Sequence, residues 1–129
     1  SGLDLQVLGW QAETVDGGTA AAASVVASGA TAVITHNDLV ALGVIAGARS
    51  LGRSVPDDLS VVGIDDIPLA AIAHPALTSI AVPMGRAATA ALELLGRALA
   101  GERQTPRTVR LPTQLVVRGS TAVHRQETA

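Results

Sequence analysis

The chain has 129 residues, 48% of them hydrophobic, with one Trp, no Phe, no Tyr, no Cys and a net charge of −2. This describes one ordered domain with a core of aliphatic side chains, and it excludes both a disulfide framework and a thiolate metal site. All nine basic residues are Arg, beginning at Arg49, and Glu102 interrupts the mildly basic stretch from Arg97 to Arg125; such dispersed charge does not suit this piece to gripping a phosphate backbone by itself.

In chain order, "LDLQVLGW" reads as a strand. "GGTAAAASVVAS" reads as a small-residue helix after a Gly-Gly turn, closed near Gly29. "TAVITH" is a short apolar strand. "NDLVALGVIAGARSLG" places Leu39, Leu42, Val44, Ile45, Ala48 and Leu51 at helical spacing, with Asn37 or Asp38 to cap the helix and Gly52 to end it. "VPDDLSVVGI" is a turn and a strand, "IPLAAIAH" a short helix or turn stopped by Pro75, and "LTSIAVP" a further strand. "MGRAATAALELLGRALAGE" is an amphipathic helix with Leu92, Leu95 and Leu99 on one face. "RTVRLPTQLVVRGST" reads as two short strands broken at Pro112, and residues 122–129 as a frayed tail. Strands alternating with helices predict an α/β fold with a mostly parallel sheet, and short continuous apolar strands predict cover on both sheet faces. No run approaches the ~18 apolar residues of a membrane span, and no basic-then-apolar leader opens the chain. A start at Ser1 instead of Met is expected of a processed chain or a fragment.

Ligands of open α/β sheets bind outside the carboxyl ends of the strands. The residues falling there are Trp10, then His36, Asn37 and Asp38, then Asp65 and Asp66. Carboxylates and an amide make paired hydrogen bonds to vicinal hydroxyls, and an indole covers the apolar face of a ring, so the set suits a polyhydroxylated ligand. Structural roles compete at each position. Asp65 and Asp66 also suit a turn and an N-cap before "IPLA", Asp38 a helix N-terminal acid, Asn37 a cap, Trp10 a core residue, and His36 a loop residue. Catalysis has less support, because the sequence has no Cys or Lys nucleophile, no Gly-x-Ser-x-Gly elbow and no phosphate-binding Gly-Lys loop. The three His residues lack metal-ligand spacing. An acidic pair at a strand end can hold magnesium or accept a phosphoryl group, but sheets of that kind add a strand-end Lys, and this chain has no Lys.

The series Asn37-Asp38 with "ALG", then "GRSVPDDLSVVG", Asp65-Asp66, "HPALTSI" and "RTVRLPTQLVVRGST" resembles the effector-binding core of lactose/galactose-repressor family transcription regulators, in order and spacing, over roughly residues 30–121. The resemblance implies one lobe of a periplasmic-binding-protein-like (type I) effector domain, a parallel-sheet α/β sandwich over residues 1–121. Residues 83–101 would be a crossover helix packing on a first lobe outside this chain, as the helix-turn-helix and hinge would be. By position, Asn37 and Asp65 look like the family's ligand-contacting amide and carboxylate, Trp10 like its stacking aromatic, and His36 and Met84 fall near pocket positions. Leu39, Leu42 and Ile45, with Ile72 and His74, resemble the family's dimer surface. Ile64, His36 and Val82 depart from the family's usual residues, and a ligand less polar or larger than a simple hexose would fit Val82 and Met84.

The expected function is effector sensing and dimerisation in a bacterial transcription regulator. The effector would be a small molecule of carbohydrate type, the partner a second copy, and operator DNA would be reached only through the helix-turn-helix. The resemblance implies a cytoplasmic protein without a cofactor or membrane contact. The alternatives are a transport-associated sugar-binding protein and a small enzyme using the strand-end carboxylates. The leucine face at 92–99, without its partner lobe, is expected to drive association, with that helix exchanged between chains.

Overall fold

The computed structural model describes residues 4–9, 11–101 and 108–123. The elements are α1 (Val15–Ala27), β1 (Ala32–Ile34), α2 (Asp38–Ser50), β2 (Ser60–Asp65), α3 (Pro68–Ile72), β3 (Thr78–Ala81), α4 (Met84–Leu99) and β4 (Gln114–Val116). The sheet order is β1-β2-β3-β4. The first three strands run parallel, and β4 pairs antiparallel with β3.

Local chemistry sets the helix ends. The Thr14 side chain accepts from the Gly17 N–H at 3.1 Å and opens α1. Asn37 Oδ1 accepts from the Val40 N–H at 2.9 Å and opens α2, with Asp38 in the first turn and Arg49 in the last, both favoured by the helix dipole. Gly29 (φ 71°) and Gly52 (φ 78°) turn the chain left-handed just past these helices, a conformation other residues adopt at a cost. Pro68 at the first turn of α3 starts that helix without sacrificing a hydrogen bond.

The helix pair α1–α2 explains the small residues. A Cβ at Gly18 would run into the Val40 carbonyl, one at Gly43 into the Val15 carbonyl and Gly18, and one at Gly47 into the Ala22 side chain. The two backbones therefore meet directly, and α2 in turn lies on β2, where Val61 and Gly63 are buried beneath it. Val25, Val40, Val44, Val61, Leu59 and Leu77 carry the core, all aliphatic as the composition requires.

Behind β4 the chain threads back across the starts of β2 and β3. The fully buried Ser120 donates its hydroxyl to the Val61 carbonyl (2.6 Å) and accepts from the Thr78 N–H (2.8 Å). Its own carbonyl accepts from the Val61 N–H at 2.8 Å. Ala122, expected in the frayed tail, is still tied to Ser60 through its N–H at 3.2 Å; residues 124–129 lie outside the described residues.

Several expectations are corrected. Residues 4–9, read as a strand, are exposed and join no ladder among the described residues. A groove of about 960 Å³, floored by Val25, Val40 and Val44, separates them from β1. An extended segment becomes a strand only with a neighbour at the ~4.8 Å spacing of a ladder. Of the two strands expected around Pro112, only Gln114–Val116 pairs among the described residues. Among the described residues the sheet is well covered on the α2 side alone: Val62 and Ile64 on the other face of β2 are half-buried, and Ile34 is 69% exposed. Ile45, expected on a dimer surface, is 5% exposed and belongs to the core. The helix expected over 83–101 is present as Met84–Leu99, and every one of its residues is exposed or half-buried, Leu92, Leu95 and Leu99 among the exposed.

Candidate functional site

The strand ends bring the candidate residues to one edge. Ile34 pairs with Val62 at the end of β1, the chain then bends at His36 and Asn37, and Asp38 Oδ2 accepts from the Ile67 N–H at 2.8 Å, which holds the start of α2 against the end of β2 at Asp65. Asp65 pairs in turn with Ala81 at the end of β3, just before Met84 opens α4. Three adjacent strand ends thus carry an amide, a carboxylate and an apolar corner. The Asn37 oxygen is taken up by the cap of α2, and its amide nitrogen has no hydrogen bond among the described residues. Asp65 is exposed, and Met84 is 64% exposed.

The two adjacent acids have separate environments. Both adopt left-handed backbone, Asp65 at φ 106° and Asp66 at φ 56°, unusual for residues with a side chain. Asp66 is half-buried, and Arg118 Nη2 lies 2.7 Å from its Oδ1. That approach is close but outside hydrogen-bond alignment, so the attraction is mainly one of charge. Arg118 Nη1 donates to the Leu77 carbonyl at 2.7 Å, which fixes the guanidinium. Asp65 has no ion pair among the described residues. Neutralising Asp66 removes a like charge beside Asp65 and leaves Asp65 as the displayed acid.

Asp38, read as an N-terminal helix acid, is 1% exposed. Its Oδ1 accepts from the Ser79 hydroxyl at 2.6 Å, and its Oδ2 from the Ile67 N–H at 2.8 Å. The Ser79 oxygen accepts from the Asp66 N–H at 3.1 Å. Gly63 lies directly under this carboxylate, and a Cβ there would collide with Asp38 Oδ1. Ser79, Gly63 and Arg118 are not marked as site residues by the sequence, and Asp38 is marked there only as a strand-end acid or a helix N-terminal acid, without its buried partners. One signal was available: a glycine inside an apolar strand marks a place where another group comes close.

The remaining candidates separate. His36 is exposed and its Nε2 lies 3.3 Å from Glu13 Oε1, on the rim of the groove beside β1. Trp10 lies outside the described residues. On the expected dimer surface, Leu39 is 37% and Ile72 is 73% exposed, while Leu42 is half-buried against the core. His74 is exposed, and its carbonyl accepts from Arg49 Nη2 at 2.8 Å.

A mostly parallel sheet with polar residues gathered at its carboxyl edge places the chain among the open α/β folds that bind ligands at that edge. The model of the periplasmic binding protein-like domain family matches residues 1–121. The chain belongs to that family, in the form carried by LacI-family transcription regulators. It is 42% identical over 109 residues to the HTH-type transcriptional regulator MalR of Streptomyces coelicolor, covering 84% of this chain and 32% of that protein. It is 37% identical over 91 residues to the repressor CytR of Escherichia coli, covering 70% of this chain and 27% of that protein. Among solved structures, the regulator CelR in complex with cellobiose superposes with a TM-score of 0.84 at 32% identity, over 92% of this chain and 38% of that one. A LacI-family regulator of Enterococcus faecium with bound ribose superposes at 0.80 and 30% identity, over 89% of this chain and 43% of that one. The chain spans about a third of the length of the curated relatives it matches.

Proposed function

We propose that this chain is the effector-sensing and dimerisation part of a bacterial transcription regulator, and that the strand-end set recognises a carbohydrate. The observation that carries the reading is the placement of Asn37 and Asp65 past the carboxyl ends of two adjacent parallel strands in a chain of this family. The Asn37 amide nitrogen donates to a sugar hydroxyl, and the Asp65 carboxylate accepts from hydroxyls. Met84 supplies apolar surface beside them. The similar structures holding cellobiose and ribose support a sugar as the ligand class. Val82 and Met84 favour a disaccharide over a pentose, because polar contacts from the crossover are few.

The exposed Leu39 and Ile72 with His74 form the contact to a second copy, and operator DNA is reached through a head outside this chain. The chain does not act as an enzyme in this reading, and it works in the cytoplasm. Trp10 is the single tryptophan, so its fluorescence reports directly on a ligand stacked against it. Titration with cellobiose is expected to shift the emission, and Asp65→Asn to abolish the shift. An emission change that persists unaltered in Asp65→Asn overturns the assignment of Asp65.

A further inference from the structure

We infer that Asp38 and Ser79 are positioning residues for the ligand carboxylate: together they hold the left-handed Asp65–Asp66 turn and so set where Asp65 presents its side chain. The inference rests on the reading of Asp65 as the residue that meets ligand.

Two consecutive left-handed non-glycine residues are costly and persist only where the surroundings over-determine them. Here the restraints come from three elements. The first residue of α2 sends its carboxylate under the turn, and β3 supplies a hydroxyl. The Asp66 N–H goes to Ser79, Ser79 donates to Asp38, and the next N–H, that of Ile67, goes to the other oxygen of Asp38. A carboxylate that accepts at both oxygens fixes the direction of the Ser79 proton, which leaves the serine lone pair for Asp66. The Ser79–Asp38 bond at its centre is buried and the two backbone bonds are half-buried, so each polarises the next and an unmade one is costly. The α2 N-terminus, with its partial positive charge, favours the Asp38 carboxylate. Gly63 provides the room: any side chain there would displace the carboxylate from the turn. Arg118 restrains the Asp66 side chain from the β4 side. Every restraint therefore acts on Asp66 and Ile67, and the result is delivered at Asp65, which stays exposed.

A network serving stability alone would cost folding free energy when cut but would leave the turn geometry and the ligand untouched. The test uses this chain, isotopically labelled, with cellobiose as the probe. Ser79→Ala is expected to leave the amide pattern of α1, α2 and β1 as in the parent chain. The HN–Hα couplings of Asp65 and Asp66 are expected to move off their left-handed values, amide exchange of Asp66 and Ile67 to accelerate at least tenfold, and cellobiose affinity to fall at least tenfold. Ser79→Thr, which keeps the hydroxyl, restores all three. Unchanged couplings in Ser79→Ala overturn the inference, and so does a loosened turn that binds cellobiose as the parent does. Asp38→Asn keeps volume and one acceptor oxygen, and it is read in the same way should Ser79→Ala unfold the chain. If Asp65→Asn leaves cellobiose binding intact, the ligand reading fails, while the couplings still decide whether Asp38 and Ser79 hold the turn.

Discussion

The α1–α2–β2 region and α4 are opposite solutions within one chain. In the first, glycines and alanines let two helix backbones touch, and the valines of α2 settle on β2 until Val44, Ala41 and Val61 are at most 1% exposed. In the second, a helix with a well-defined leucine face leaves Leu92, Leu95 and Leu99 between 55% and 80% exposed. Amphipathic pattern alone does not create burial. A helix is held by what its apolar face meets, and the weakly patterned α1 has found a partner where the strongly patterned α4 has none among the described residues. The closed region positions the strand ends; α4 leaves its leucine face exposed.

The largest break in this comparison is expected at Gly43. Gly43→Val places branched carbon against the Val15 carbonyl and Gly18, backbone atoms that cannot step aside. The cost is about 3 kcal/mol or more, at the top of the usual range for overpacking, and chemical denaturation followed by circular dichroism reads it as loss of the folded baseline. Next comes Asp38→Ala, which leaves the Ile67 N–H and the Ser79 hydroxyl unpaired in a buried place. A loss of about 1–3 kcal/mol follows from such orphaned groups, with a lowered denaturation midpoint and an unchanged slope. The smallest effect is expected on α4. Leu95→Ser changes the stability of the chain by less than about 0.5 kcal/mol yet reduces its self-association, which sedimentation velocity measures across a concentration series. A Leu95→Ser chain that unfolds like Gly43→Val would erase the contrast.

Punctuation made much of the fold legible. Asn37, Gly29, Gly52 and Pro68 act locally, and each ends or begins an element where its own chemistry predicts. What depends on a neighbour was less legible. Residues 4–9 carry a strand's pattern but lack a ladder partner among the described residues, so the pattern stays unexpressed. Helical spacing marked Leu39, Leu42 and Ile45 alike as apolar, but only packing decides that Ile45 turns into the core while Leu39 faces out. The site divides in the same way. Asn37 and Asp65 follow from the rule about strand ends, whereas the buried role of Asp38 depends on Ser79, a residue 41 positions away, and on the missing side chain of Gly63. The separate roles of Asp65 and Asp66 depend on Arg118, which reaches Asp66 from beyond β4.

The central claim is that the carboxyl edge of β1–β3 meets a carbohydrate, and amide chemical-shift mapping of this chain during cellobiose titration tests it most directly. The account predicts perturbations confined to residues 36–38, 65–67 and 82–84, abolished by Asp65→Asn. Perturbations that instead follow the groove between residues 4–9 and β1, or that persist in Asp65→Asn, would contradict it.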